Sequence, residues 1–478
     1  DSTYDAWTPA RAYSHYHGGV RILSETASVN LATPINVRPE QLRGGEGYDA
    51  RKASPNFPAV WPGGEWRLRD ITNYMTAAAF ELLTHAAQNR ERWLRRFYAV
   101  GREAVRPRRP GELFGFRIGP SQNDSALVRI LRRGGVEVAE AQPPAPGRRG
   151  ARRGDSAEYF VKMAQPYGAF AKALLERQDY PNLLDAAGHP VPPYDVTAHT
   201  LPLLMGVHVE PVYRPSNTRG SVSRVGALGI RVSDPPGGPA APPRVGLYKS
   251  HVPSMDEGWT RWVLEQQGTK YLTLRDAEVR AGNLRAKFDS IIIPDQSPRA
   301  LLEGYRKGSM PEEFTGGLGK EGVKALREFV ERGGTLVALN NASDFAIEQF
   351  GLPVRDVTAE LKRTEFYCPG SILRTHLDTT HPLARGLERE SVAWIEDSPV
   401  FEIKSDPLAR VKIVARYPDT GTPLLSGWLL GAERIRGKAA LVEVGLGEGR
   451  VYLFGFRPQY RAQSLATYPL LFNAVAGR

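Results

Sequence analysis

Glu25 is the residue of this chain best placed to do chemistry. It closes a short apolar run, Val20-Arg-Ile-Leu, that follows a Gly18-Gly19 turn. Tyr13, His15, Tyr16 and His17 stand just upstream, with Tyr4 further back. A carboxylate just after such a run is expected at the end of a buried strand, where low dielectric tunes it as a general base. His15-x-His17 has metal-like spacing, because alternate residues of a strand share a face. No second ligand cluster lies nearby in sequence, so the pair reads as part of an aromatic loop.

Other candidates are spread along the chain. The single cysteine, Cys368 in Phe366-Tyr-Cys-Pro-Gly-Ser, excludes an internal disulfide and a thiolate zinc cluster. It precedes a Pro-Gly turn and reads as a buried structural thiol. The apolar strand Thr335-Leu-Val-Ala-Leu runs into Asn340-Asn-Ala-Ser-Asp, and no Gly-x-Ser-x-Gly frame surrounds Ser343. His381, in Thr-His-Pro-Leu-Ala, reads as a loop-shaping residue. Tyr194, Asp195 and His199 line a cleft or form a packed turn. The glycines of Gly445-Leu-Gly-Glu-Gly precede a strand, whereas a phosphate loop must open a helix, so they predict a hairpin turn.

The elements that must position these residues fall into blocks. A chain of 478 residues has room for roughly two to four domains. Its 41% hydrophobic and 24% charged residues are ordinary for a globular protein. No apolar run approaches the roughly 18 residues that span a bilayer, so no membrane partner is expected. The chain opens with Asp1 and no visible signal peptide, which suggests a processed or truncated N-terminus. The net charge of +11 is concentrated between Arg102 and Arg153, where Pro and Gly dominate and aromatic interleaving is missing. That composition reads as a mobile basic loop, and no nucleic-acid partner is expected.

The first block, residues 1–105, has the Val20 strand, a polar loop with Trp61-Pro-Gly-Gly, and a long helix from Leu68 with Ile71, Tyr74, Met75, Ala78, Leu82, Leu83 and Ala86 at helical spacing. The second, residues 112–213, alternates strands (from Phe114, Val136 and Tyr159) with helices (Ser125 to Arg133, Ala169 to Arg177), an α/β pattern. A Pro/Gly-rich linker covers 214–243. The third, residues 244–478, has strands Arg244-Val-Gly-Leu-Tyr, Phe288-Asp-Ser-Ile-Ile-Ile and Thr335-Leu-Val-Ala-Leu separated by helices, with the apolar runs that parallel sheets require.

Block one resembles the C-terminal part of the zinc metallocarboxypeptidases of the carboxypeptidase A superfamily. The resemblance rests on Gly19-Val-Arg-Ile-Leu-Ser-Glu-Thr-Ala-Ser, then Trp61-Pro-Gly-Gly, then the long helix, in that order. It implies that Glu25 is the base acting on a zinc-bound water, and that Tyr13 or Tyr16 closes over substrate. It also implies zinc as cofactor, a peptide as substrate, and a secreted or periplasmic location. The family's His-x-x-Glu occurs nowhere in this chain, so the resemblance puts the metal ligands upstream of Asp1. Block two resembles the middle region of large bacterial carboxypeptidase-like proteins. Block three resembles the class I glutamine amidotransferase-like domains, but without a cysteine at the strand-to-helix elbow. The expected architecture is therefore α/β throughout: the end of a carboxypeptidase-type domain, a small α/β region, then a flavodoxin-like doubly wound parallel sheet. The expected function is metallocarboxypeptidase-like peptide hydrolysis, and the alternative is a non-catalytic α/β module that binds a peptide or glycan.

Overall fold

The computed structural model describes residues 9–22, 24–28, 32–44, 48–55, 57–140, 158–193, 195–213, 243–405, 408 and 410–477. Residues 214–242 of the expected linker and residues 141–153 of the basic stretch lie outside them, as do Tyr4 and Tyr194.

The N-terminal block is helical. A helix spans Pro9–Tyr16, and a two-stranded ribbon pairs Ile35–Val37 with Gly64–Trp66. Two helices follow, Leu68–Gln88 and Arg90–Val105, broken at Asn89. Neither buries a residue, and Tyr74, Phe80, Leu83, Leu94, Phe97 and Tyr98 are exposed. Residues 20–22 form no strand, contrary to the sequence expectation. A strand needs a sheet neighbour to satisfy its backbone groups, and none is paired with this segment.

The middle block is a small α/β unit. Its four-stranded sheet runs in the order Ala139–Glu140, Tyr159–Lys162, Leu113–Ile118, Val209–Tyr213, and every pairing is antiparallel. Residues 136–138 are irregular, so the strand expected at Val136 begins only at Ala139. Helices Asp124–Arg133 and Gly168–Leu175 pack Leu127, Leu131 and Phe170 over Phe116, Ile118 and Val161. The Gly134-Gly135 stop falls where the sequence predicts it, and Gly135 takes the left-handed φ of 79° that favours glycine.

The third block supplies the parallel sheet. We label its elements β1 (Val245–Tyr248), α1 (Met255–Gln266), β2 (Tyr271–Leu274), β3 (Ser290–Ile293), α2 (Gly319–Glu331), β4 (Thr335–Leu339), α3 (Ala342–Phe350), β5 (Pro369–Leu377), β6 (Glu390–Glu396), β7 (Arg410–Arg416), β8 (Ala439–Leu446), β9 (Gly449–Phe454) and α4 (Tyr468–Val475). The order β2-β1-β3-β4-β9 is parallel, the flavodoxin-type arrangement. Alternate residues enter opposite cores: Ile292, Val337 and Leu339 on one face, Ile291, Ile293, Leu336 and Ala338 on the other. Burial on both faces is what the unbroken apolar runs demanded. Beyond β9 the sheet continues antiparallel through β8, β7, β5 and β6, so it is mixed, and the predicted turn closes the β8–β9 hairpin.

Blocks two and three share one core. The amide of Gln178 donates to Ser426 Oγ at 2.8 Å, and Thr197 Oγ1 donates to the Gly370 carbonyl at 2.9 Å. Gly370 has φ 81°, and a Cβ there would sit 2.3 Å from the Cβ of Val196, so only glycine allows this approach.

Candidate functional site

Chemistry-bearing groups converge at the carboxyl ends of β1, β3, β4 and β9. Open α/β sheets bind ligands there, beside the strands where the winding reverses. A cleft of about 300 Å³ lies at the ends of β1 and β3, with Lys249, Ser250, His251, Ser254, Glu257 and Gln296 in its wall. Ser254 caps α1, accepting the amide of Glu257 at 3.2 Å and donating to the Asp295 carbonyl at 2.8 Å. That pair ties the start of α1 to the end of β3.

Arg457, just past β9, is the centre of a carboxylate cluster. Its Nη2 donates to Asp295 Oδ2 at 2.6 Å and its Nη1 to Glu396 Oε2 at 2.8 Å, while Nε stands 3.2 Å from Asp256 Oδ2. The other oxygen of Asp295 accepts the backbone and side-chain N–H groups of Asn341, both at 3.1 Å. Three acids face one guanidinium, and burial is incomplete for Glu396, whose side chain is 35% exposed. Burial pushes the Asp256 carboxyl up to about 6, with Arg457 opposing and Asp295 and Glu396 adding to the rise. Burial also raises Glu396. Asp344, in the first turn of α3, is pushed up to about 8 by burial and by Asp356, Glu348 and Asp295. Perturbed acids gathered at the ligand end of an α/β sheet are the usual mark of a functional site.

The elbow after β4 has the expected shape and an unexpected residue. Asn340 takes φ 52°, the left-handed turn that throws a side chain up at a strand-to-helix junction. It is fully buried, and its amide nitrogen and oxygen have no hydrogen-bond partner among the described residues. Trp394 Nε1 and the Tyr460 hydroxyl are likewise unpartnered, and the two rings stack at 3.4 Å with Arg457 over Trp394. Buried polar atoms left unpaired are costly, and several side by side mark a place that folding stability alone did not shape.

Neither Ser343 nor Cys368 offers a free nucleophile at the elbow. Ser343 is buried and donates to the Ala338 and Phe454 carbonyls at 3.1 and 3.0 Å, so its hydroxyl is spent on the backbone. Cys368 is buried, and burial pushes its thiol up to about 12. His381 caps a turn, with Nδ1 accepting the Leu383 amide and Nε2 3.2 Å from Glu443. The arrangement can bind, hold charge and donate or accept protons. It cannot form an acyl or thioester intermediate at the elbow.

The N-terminal candidates lie elsewhere. Glu25 is exposed on irregular chain, so the buried strand end expected for it is not formed. Tyr13 stacks on His17 at 4.0 Å, and Tyr16 and His17 lie against Phe170 of the middle block. His17 Nδ1 faces the Tyr13 carbonyl at 2.8 Å and Nε2 the Gly134 carbonyl at 2.7 Å. Both ring nitrogens are therefore engaged by backbone, and no group of three or more His, Cys, Asp or Glu among the described residues could hold a metal. This chain's described residues do not fit the zinc that the resemblance implies. Asp195 is bound in a two-point ion pair with Arg461, at 2.9 and 3.1 Å, which joins the middle block to the loop beyond Arg457.

Sequence reading missed Asp256, Asp295, Glu396 and Arg457. Asp295 carried a signal, since it follows the apolar run of β3 directly. The other three come from distant segments, and only the topology unites them.

No family model and no curated protein matches the chain. Solved structures similar to it include a β-galactosidase from Bacillus circulans sp. alkalophilus, at 14% identity over 49% of this chain and 31% of that one, with a TM-score of 0.31. A ThuA-like protein from Bacteroides uniformis is 13% identical over 50% of this chain and 94% of that one, at 0.30. A GMP synthase component from Thermoplasma acidophilum is 10% identical over 49% and 95%, at 0.30. The chain thus spans about a third of the β-galactosidase.

Proposed function

We propose that this chain is the C-terminal portion of a secreted or periplasmic carboxypeptidase-like peptide hydrolase. In it, the amidotransferase-like third block binds a ligand and does no chemistry of its own. The observation that carries the reading is the pair of helices Leu68–Gln88 and Arg90–Val105, which bury no residue and expose eleven large apolar side chains. An apolar face of that extent suits a helical layer that covers a sheet, and the resemblance supplies that sheet from polypeptide outside this chain. The same sheet would pair the Val20 segment and put Glu25 at a buried strand end. There its carboxylate would take a proton from the attacking water and pass it to the leaving amine. The metal ligands would also lie outside this chain.

The third block supports the binding half of the proposal, because Asn340 stands where a nucleophile would and the only thiol is buried. The non-catalytic reading of the whole chain, as a peptide- or glycan-binding module, draws on that same observation.

The test has two arms. This chain alone, supplied with zinc, should hydrolyse no peptide, and hydrolysis by it would overturn the proposal. In the longer zinc-bearing protein, Glu25→Gln should keep the metal and lower turnover about 100-fold or more. Undiminished turnover there would remove Glu25 from the mechanism.

A further inference from the structure

We propose that a pocket on the antiparallel half of the large sheet binds a doubly charged tetrahedral oxyanion, a phosphate or sulfate group, between Arg389 and Arg416. The pocket holds about 410 Å³, and its wall includes His376, Asp378, Arg389, Arg416 and Asp419. Neither arginine side chain has an ion-pair or hydrogen-bond partner among the described residues. Other arginines of this half of the sheet are matched to acids. Arg374 pairs with Glu390 at 3.2 Å on the adjoining strands, and Arg434 with Glu365 at 3.5 Å.

Two guanidinium groups on one pocket repel each other unless something negative lies between them. Each aspartate is turned in part elsewhere. Asp378 Oδ1 accepts the Thr380 amide at 3.0 Å and its hydroxyl at 2.6 Å, which turns it into its own loop. Asp419 aims Oδ1 at Gly437, 2.7 Å from where a Cβ would stand. Beside these carboxylates the wall presents two arginines and an imidazole. Guanidinium forks match phosphate and sulfate oxygens two at a time, and a dianion can satisfy both at once.

The rim is held in place by backbone. His376 faces Arg416 across the β5–β7 ladder. The Leu377 amide donates to the Arg389 carbonyl at 2.7 Å, and the Asp378 amide to the Val414 carbonyl at 2.9 Å. The backbone from which both arginines spring is thus fixed. The site is separate from Glu25 and from the Arg457 cluster, so it stands or falls independently of the peptide-hydrolase reading.

The experiment is calorimetric titration of the purified chain with sodium phosphate, sodium sulfate and sodium malonate, against sodium chloride at equal ionic strength. Saturable binding of phosphate, of sulfate or of both is expected, and whichever binds identifies the group. Arg389→Gln and Arg416→Gln should each weaken it about 10-fold or more, and Arg416→Lys less. Arg355→Gln, which loses an exposed ion pair with Glu402, should leave it unchanged. Malonate binding as well as phosphate would overturn the tetrahedral class. Absence of saturable binding, or binding that survives both glutamine variants, would overturn the site.

Discussion

Asp344→Asn should stabilise this protein, and by more as pH rises. Asp344 sits in the first turn of α3, where a helix N-terminus favours an acid by only about 0.3–1 kcal/mol. Against that stand burial and the like charges of Asp356, Glu348 and Asp295, which carry its carboxyl from 3.8 up to about 8. Because the folded-state value lies above the unfolded one, the carboxyl's full contribution is present below 3.8. It is lost progressively as pH rises toward 8. Each pH unit across that window is worth about 1.4 kcal/mol, so at pH 7.5 the ceiling is about 5 kcal/mol. Local relaxation reduces it, and we expect about 2–4 kcal/mol. Asparagine keeps the shape and the hydrogen-bonding capacity without the charge. The assay is thermal unfolding by circular dichroism, wild type against Asp344→Asn, from pH 5 to 8.5. The variant should melt about 4–10 °C higher at pH 7.5, with a gap that narrows toward pH 5 and levels off above about pH 8. Equal melting points at pH 7.5, or a gap widest at pH 5, would refute the reasoning.

Two further outcomes are expected. Arg457→Met leaves Asp256, Asp295 and Glu396 facing one another without a countercharge, and should cost about 3–5 kcal/mol in urea unfolding; an unmoved midpoint would show that the cluster does not hold the crevice together. Cys368 should resist thiol reagents until the chain is unfolded, and Cys368→Ser should create or abolish no glutamine hydrolysis; rapid labelling of the native protein, or cysteine-dependent release of ammonia, would contradict the buried-thiol assignment.

How much of this was legible depends on the range of the interactions concerned. The strands at Val245, Ser290 and Thr335 were readable because burial on both faces leaves an unbroken apolar run. The β8–β9 hairpin was readable because glycine turn chemistry is local. The antiparallel strands β5 to β7 were not read, since no tight glycine turn marks their connections and the half-buried alternation of β7 is shared with loops. The Val20 segment shows the opposite error. Its composition suits a strand, but composition cannot provide the neighbour that a strand requires. For the site, the position was readable and the residues were not. The turn at Asn340 follows from the apolar run before it, whereas the acids around Arg457 meet only when distant segments fold together.

The crevice fits the binding role proposed for the third block. Asp256, Glu396 and Asp344 are held at raised pKa values, Asn340 occupies a left-handed turn with an unpaired amide, and Trp394 and Tyr460 keep unpaired polar atoms beneath Arg457. Each feature costs stability, and each would be relieved by a polar guest that donates to the carboxylates. A catalytic elbow needs, in addition, a nucleophile whose proton can be taken. Here the two side chains able to fill that role are buried: Ser343 gives its hydrogen to backbone carbonyls, and Cys368 lies in another loop with its thiol far above neutral pH. The costs at this end of the sheet are those expected of the binding surface proposed above.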